Sequence, residues 1–287
     1  MPISEKNQIQ ASTLYLVATP IGNLSDLSER AIKVLSEVDF IAAEDTRNTG
    51  HLLSYLHIQK PLVSYHEHNK RERGETICDR LQAGESCALV TDAGTPAISD
   101  PGEDLVALCA RRGITVTSIP GCCAGITALT LSGLPTRRFT FEGFLSVNKA
   151  ERKKHLDTLK GEVRTMIFHE APHKLKTTLS DLRETFGDSR RISLCRELTK
   201  LNEEVLRLTL AEAVAYYEEN APRGEYVLVV EGAQEGGSTE EVFWVNMTVP
   251  DHVAHYVAQG MTKKDAIKAA AKDRGVPKNE VYQQVLD

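Results

Sequence analysis

No stretch of this 287-residue chain approaches the ~18 consecutive apolar residues of a membrane span. Its first ten residues, MPISEKNQIQ, lack the apolar core of a secretory signal, so a soluble protein that stays in the cytoplasm is expected. Cysteines number six, at 78, 87, 109, 122, 123 and 195, and none stands in C-x-x-C spacing. That pattern suits neither a disulfide framework nor a zinc ribbon. Most of these thiols suit small apolar positions in a reducing compartment. Positive charge is not in excess either, since 34 Lys+Arg against 40 Asp+Glu leave a net charge of −6. Sequence-blind nucleic-acid binding needs clustered cations to release counterions and is excluded, whereas a local basic face for a structured RNA is not. Also missing are G-x-x-x-x-G-K-[ST] and G-x-G-x-x-G, which leaves nucleotide chemistry on a phosphate-cradling loop without support.

What is present is ordinary for a globular protein: 41% hydrophobic and 26% charged residues, far from a disordered or collagen-like chain. At ~150 residues per domain the length predicts about two domains, with core enough to need no disulfide or metal staple. Apolar runs predict strands over 13–18, 39–43, 61–65, 86–91 and 114–119, separated by helices over 28–37, 49–56, 71–82 and 103–112. Strands spaced by single helices indicate an α/β domain with a parallel sheet. A small-residue helix over 122–131 leads to Leu134 and Pro135. Beyond it, strands are expected over 138–144, 163–168, 191–195 and 225–231, and helices over 149–159, 172–185 and 210–220. Residues 233–239 (AQEGGST) read as a linker. The organisation is thus 13–125, 126–235 and a helical extension over 240–287. In the extension Thr262 and Asp265 form a capping box and Pro277 opens a last helix. Ala266, Ile267, Ala270, Val276, Val281 and Val285 would make a helix-turn-helix-like core. Such a hairpin is commonly a cap on the main body; Lys263, Lys264, Lys268, Lys272, Arg274 and Lys278 also allow a nucleic-acid contact.

His169, Glu170 and His173 spell H-E-x-x-H, the zinc-protease pattern in which two imidazoles share one helix face. Here His169 ends an apolar strand, and Pro172 falls inside the helix the motif needs, at a cost of ~3 kcal/mol. Pro172 suits the first turn of a new helix instead. No metal is expected, and the segment reads as a strand-to-helix turn at a sheet edge, where open α/β sheets bind ligands. Three Gly/Pro-rich loops, 19–23 (TPIGN), 92–102 (DAGTPAISDPG) and 120–124 (PGCCA), each follow an expected parallel strand. Any one is an ordinary tight turn. Three at the carboxyl ends of one sheet mark a place where main-chain groups approach a flat ligand closely.

Taken together, VATPIGNLSDLSERA, IAAEDTR, SYHEHN, VTDAGTPAISDPG, IPGCCA, GLPTRRFTFEGFL, FHEAPHKL, CRELTK and RGEYVLVVEG resemble the signatures of the tetrapyrrole-methylase superfamily. The similarity is closest to its ribosomal RNA small subunit methyltransferase I branch and runs over about 14–232; a C-terminal helical extension also occurs in that branch. The resemblance implies a two-domain α/β fold with a mainly parallel N-terminal sheet and a mixed C-terminal sheet. It implies S-adenosylmethionine as cofactor, a homodimer, and a cytidine 2′-O-methylated in the decoding region of 16S rRNA. The rRNA would be met within the small ribosomal subunit or an assembly intermediate. In this superfamily the cofactor lies folded between the domains, held largely by backbone groups. By motif match Pro20, Gly94, Thr95, Ala97 and Ile98 would line its first-domain side, with Cys123 and Ala124. Glu170, Ala171, Leu198 and the strand 225–227, starting at Glu225, would supply the second. Cys122 and Cys123 stand where a Pro-Ser or similar pair is expected, and a thiol is a weaker hydrogen-bond partner than a hydroxyl.

Transfer from an activated methyl donor asks for no metal. It asks for positioning, worth ~7–11 kcal/mol when reacting atoms are held ~3–3.5 Å apart, and a general base for the feebly acidic 2′-hydroxyl, worth ~10²–10⁴-fold. Asp45 or His66 would accept the proton, Arg47 would fix a phosphate, and Glu67 and Asn69 would orient the ribose or base. The competing reading makes Glu44, Asp45 and Arg47 a capped helix start and His66 and His68 plain loop histidines. Lys70, Arg71, Arg73, Arg137, Arg138, Lys149, Arg152, Lys153, Lys154, Arg190 and Arg191 are candidates for RNA contact, although short charge runs are usually solvated faces. A buried nucleotide must be splayed or flipped to react, which favours the assembled particle, recognised by shape, as substrate. Two rivals stay open: a tetrapyrrole C-methyltransferase, which has no use for the basic clusters, and a ligand-sensing regulator whose tail reads DNA.

Overall fold

The computed structural model describes residues 8–234, 244 and 247–286. The chain divides into two compact units, Met1–Ala233 and Gln234–Asp287. Within the first unit lie two five-stranded sheets.

The first sheet contains β1 (Thr13–Val17), β2 (Phe40–Ala43), β3 (Leu62–Ser64), β4 (Cys87–Val90) and β5 (Thr115–Ile119) in the order β3-β2-β4-β1-β5, all parallel. Central β2 and β4 are buried at every position, and their unbroken apolar runs are what a sheet covered on both faces requires. One face packs Leu14, Phe40 and Leu89 against Ile77 and Leu81 of α3 (Lys70–Gln82) and Leu105 of α4 (Glu103–Arg111). The other packs Val17, Ile41 and Val90 against Val34 and Leu35 of α1 (Glu29–Glu37) and Leu53 of α2 (Thr46–Tyr55). Because the strands are parallel, the loops after β1, β2, β3, β4 and β5 all emerge at one edge.

The second sheet is mixed. β6 (Phe139–Phe144) lies parallel to β7 (Thr165–Glu170), whereas β10 (Tyr226–Val230) runs antiparallel to both β7 and β8 (Arg191–Arg196), and β9 (Glu204–Thr209) antiparallel to β8. One face carries α6 (Lys149–Leu159), α7 (Leu175–Phe186) and α8 (Leu210–Glu219) over a core around Phe168, Leu179 and Leu228. The other face receives α5 (Ala124–Leu131), which leaves the first sheet's loop 120–123 and lays Ala128 and Leu129 against Ile167 and Val229. A Cβ at Gly125 would lie 3.3 Å from the Phe141 ring, so a small residue is what lets this helix settle. One helix thereby joins the halves.

Several expectations need correction. Strand β9 is an element the sequence reading left unassigned. Helix α2 starts at Thr46, three residues before its expected start, because the Asp45 side chain caps it. Strand β7 continues through Glu170, and α7 begins at Leu175, so Pro172 sits in the connecting turn and not in a first helical turn. All six cysteines are free. Residues 235–239 of the expected linker lie outside the described residues.

The second unit holds α9 (Val249–Ala258), α10 (Lys263–Arg274) and α11 (Lys278–Leu286). Its core is Val253, Ala266, Ile267, Ala270, Ala271 and Val281, with Val276 and Val285 packed against it. Thr262 caps α10 by accepting from the Asp265 backbone N–H, while its hydroxyl donates to the Asp265 carboxylate at 2.6 Å. No helix among the described residues is long and apolar enough to cross a membrane.

Candidate functional site

Three of the loops at the first sheet's carboxyl edge are tied to one another by main-chain bonds. Thr19 and Gly94 exchange both amide hydrogen bonds, at 2.9 and 3.0 Å, which links the loops after β1 and β4. Gly94 has φ +86°, a left-handed conformation that side chains resist. The Thr95 hydroxyl donates to the Cys122 carbonyl at 2.8 Å and links the loops after β4 and β5. Farther along, Ala97 and Ser99 also hold positive φ, of 68° and 61°, so the 92–102 loop carries backbone strain of the kind kept at ligand clamps.

This stitched frame faces the second sheet across a crevice of about 370 Å³, a volume in the ~300–1,000 Å³ range of small-molecule sites. Ile21, Ala93, Ser99, Asp100 and Ala124 line the first side. Facing them are Phe144, His169 to Pro172, Cys195, Glu197, Leu198, Lys200 and the start of β10. The sides close where the first loop touches the turn after β8: a Cβ at Gly22 would lie 2.4 Å from Lys200 Cγ and 2.9 Å from Thr199 Oγ1.

Of the residues expected at a cofactor, Ala124, Glu170, Ala171, Leu198 and Glu225 line the crevice. Pro20, Gly94, Thr95, Ala97, Ile98 and Cys123 are not lining residues; they stand in the loops that frame it, Cys123 as the N-cap residue of α5. The Glu170 carboxylate is 3% exposed and fully engaged, accepting from the Ala171 backbone N–H at 2.8 Å and the Thr178 hydroxyl at 2.5 Å. At the lip, Lys200 Nζ bridges Glu197 at 2.9 Å and Glu225 at 2.6 Å. His169 packs edge-on against Phe141 and Phe144, and burial holds its imidazole below its usual pKa. Its Nε2 is buried without a partner among the described residues. An orphaned ring nitrogen in the wall of a crevice framed by peptide turns fits a polar small molecule better than it fits an empty fold.

The five expected catalytic residues divide. Asp45 caps α2 and is gripped by Arg47, whose Nε and Nη2 donate at 3.1 and 2.7 Å. Those bonds, with one from the Arg47 backbone, hold the Asp45 carboxyl at about 2, too acidic to take a proton from a ribose. Asn69 accepts from the His66 backbone N–H at 2.8 Å and donates to the Ser64 carbonyl at 3.2 Å, so it shapes the turn after β3. Glu67 pairs with Lys70, which also holds Asp104. His66 keeps its buried Nδ1 without a partner among the described residues. None of these five is among the lining residues of the crevice.

Four carboxylates line it, Glu170, Glu197, Glu225 and Asp100, and the sequence reading does not single out Asp100. Burial, and then the negative charges of Glu44 and Asp92, push its carboxyl up to about 6. Glu44 is raised as well, by burial first and Asp92 second. Asp100 has no cation within ion-pair distance among the described residues, in contrast to Asp45. Ser99, Phe144, His169, Glu197 and Lys200 are among the other lining side chains that the cofactor expectation does not include.

The H-E-x-x-H segment places His169 and Glu170 on β7 and His173 in the turn that follows, so its imidazoles do not share a helix face. No group of three or more His, Cys, Asp or Glu among the described residues is placed to hold a metal ion. Of the expected RNA contacts, Arg152 is buried on Asp181, Lys153 pairs with Asp157, and Arg190 and Arg191 bind Glu231. Arg71, Arg73, Arg137, Arg138, Lys149 and Lys154 have no ion pair among the described residues.

Residues 13–214 match the family model for Tetrapyrrole (Corrin/Porphyrin) Methylases. The chain is 52% identical over 270 residues to the ribosomal RNA small subunit methyltransferase I of Halalkalibacterium halodurans, covering 94% of this chain and 93% of that one. It is 51% identical over 270 residues to the protein of that name from Bacillus subtilis, covering 94% and 92%. Among solved structures, uroporphyrin-III-C-methyltransferase from Thermus thermophilus superposes with a TM-score of 0.55 at 20% identity, over 77% of this chain and 94% of that one. The same enzyme complexed with S-adenyl homocysteine superposes with a TM-score of 0.53 at 20% identity, over 76% and 96%.

Proposed function

The chain belongs to the tetrapyrrole (corrin/porphyrin) methylase family, and from that premise we propose that it methylates the 2′-hydroxyl of a cytidine in the decoding region of 16S rRNA, with S-adenosylmethionine as donor. The observation that carries this reading is the crevice itself: bent main chain on one side, the orphaned His169 Nε2 on the other, and one unpaired carboxylate between. The choice of RNA over a tetrapyrrole is supported by relatives half identical over nearly their whole length that bear the name of rRNA small subunit methyltransferases. S-adenosylmethionine, when bound, supplies a methyl group already activated by its sulfonium.

The two walls of the site draw their lining residues from 21–124 and from 144–227. Ala93, Gly94, Ala171 and Leu198 would hold the donor through main-chain groups and apolar contact, and His169 would take a hydrogen bond at Nε2. Asp100 accepts the 2′-hydroxyl proton, the role the sequence offered to Asp45 or His66, because it lines the crevice, burial pushes its carboxyl up to about 6, and no cation stands within ion-pair distance among the described residues. Arg47, 85% exposed at the start of α2, faces a phosphate. The protein acts as a homodimer on the small subunit or an assembly intermediate; Phe139, Phe141, Phe144 and Val147, exposed along and just beyond edge strand β6, form an apolar face suited to a second copy.

Incubating the protein with small ribosomal subunits and methyl-labelled donor, then mapping the label, tests the reading. Label on one decoding-region cytidine ribose is expected. Label on a base, or on an added uroporphyrin with none on RNA, would overturn it. Light scattering of the wild type and of Phe144→Lys tests the dimer.

A further inference from the structure

In the second unit, helices α10 and α11 bound a groove of about 570 Å³ whose lining includes Lys263, Lys264, Lys278 and Tyr282 over a floor of Ile267 and Val285. No carboxylate is among the lining residues. None of the three lysines forms an ion pair among the described residues; Lys70, Lys153 and Lys200 of the first unit each do, while Lys149 and Lys154 do not. Lys263 and Lys264 occupy the first turn of α10 and Lys278 the first turn of α11. Cations there oppose the helix dipole, which favours negative charge at an N-terminus. Asp265 and Glu280 answer the dipole in those same first turns, but neither is among the lining residues, so three ammonium groups face the cleft with no carboxylate beside them, and a bound polyanion supplies the missing charge. Tyr282 is 50% exposed in the same cleft, so a flat ring stands beside the cations. The frame beneath is firm: Ile267 and Val281 are buried, and Arg274 ties α10 to the Met247 carbonyl at 2.6 Å.

We propose that this groove grips single-stranded or looped RNA, phosphates on Lys263, Lys264 and Lys278 and one base stacked on Tyr282. Alternating ammonium groups with an aromatic face is how sequence-tolerant single-strand sites are built. Phosphate contacts of this kind position an RNA without reading its sequence, so the groove is a holding site and not the place of chemistry. The inference rests on the reading of rRNA as substrate and names the surface that holds it.

The full chain is titrated against a fluorescent single-stranded RNA of decoding-region sequence and against small ribosomal subunits, across a range of salt. Lys263→Gln/Lys264→Gln/Lys278→Gln should weaken both about tenfold or more and lower the slope of log affinity against log salt by about 2, as three lost phosphate contacts to a single strand require. Tyr282→Ala should weaken binding about tenfold with the slope kept; Tyr282→Phe, which keeps the ring, should bind like the wild type. Methylation of subunits should show a raised KM with kcat kept, and S-adenosylhomocysteine affinity should not move. Unchanged affinity and slope in the triple variant would overturn the proposal. So would a loss on subunits with none on free RNA, which would make the groove's partner a ribosomal protein. If the groove variants lose RNA while the wild type methylates no RNA at all, the grip stands and the proposed reaction falls.

Discussion

The two sides of the crevice are built on opposite plans. The first sheet contributes bends, in which Gly94, Ala97 and Ser99 hold left-handed backbone and Asp100 has no counter-charge among the described residues. The second sheet contributes mostly side chains whose bonds are already made, Glu170 on Ala171 and Thr178 and Lys200 on Glu197 and Glu225, with the His169 Nε2 and the left-handed backbone of Glu197 and Thr199 as its exceptions. The first side keeps its carboxylate in reserve, and the second supplies a largely fixed surface to hold a reactant against it. Strain and an unpaired charge both cost stability, so their gathering around one crevice marks where chemistry is expected to use them.

The sharpest break in this contrast is Asp100→Asn. Turnover on subunits should fall ~10²–10⁴-fold, as for a lost general base, while S-adenosylhomocysteine affinity, read by calorimetry, stays the same. In the wild type the single-turnover rate should fall as pH drops below about 6, where the carboxyl takes up its proton, and this acid limb should vanish in the variant. Next comes Gly94→Val, which places a branched side chain at φ +86°. A strain of ~1–3 kcal/mol should lower the melting temperature and weaken S-adenosylhomocysteine binding at least severalfold. On the opposite side, Glu170→Ala leaves the Thr178 hydroxyl and the Ala171 N–H without their acceptor and should cost ~1–3 kcal/mol. At ~2–4 °C per kcal/mol for a domain of this size, calorimetry should see a drop of several degrees.

Smaller effects follow from the same contrast. The Asp100 carboxyl is raised from 3.8 to about 6 on folding, so between those values the native state binds more protons than the unfolded one. Its contribution to stability is full below pH 3.8 and is lost as pH rises through about 6. Asp100→Asn should therefore melt higher than the wild type at pH 8 and nearly level with it at low pH. Lys200→Met breaks two ion pairs at the solvent-facing lip, to Glu197 and Glu225, and should change stability by about 1 kcal/mol or less.

Much of this architecture was readable because buried parallel strands announce themselves. Phe40–Ala43 and Cys87–Val90 are apolar at every position, and no other element tolerates that between turn residues. Strand β9 escaped because it is an antiparallel edge: its residues are half-buried or exposed, with Glu204 and Arg207 inside the run, so no clean period stands out. The early start of α2 was misread because the capping role of Asp45 competed with a catalytic one. Asp100 was the larger omission. Its only local mark is a carboxylate beside Pro101 in a long loop, and what raises its carboxyl is burial first and then the charges of Glu44 and Asp92, all of which only folding supplies. Pairing patterns such as Lys200 with Glu197 and Glu225 are likewise invisible until the turn after β8 meets the start of β10.

The reciprocal amide exchange between Thr19 and Gly94, together with the Thr95 contact to Cys122, makes the three bends one mechanical part. A laboratory effort to retune this site toward another donor or acceptor should not succeed by altering those bends one at a time. Grafts that swap all three segments as a set, leaving the strands beneath untouched, are the productive unit of exchange.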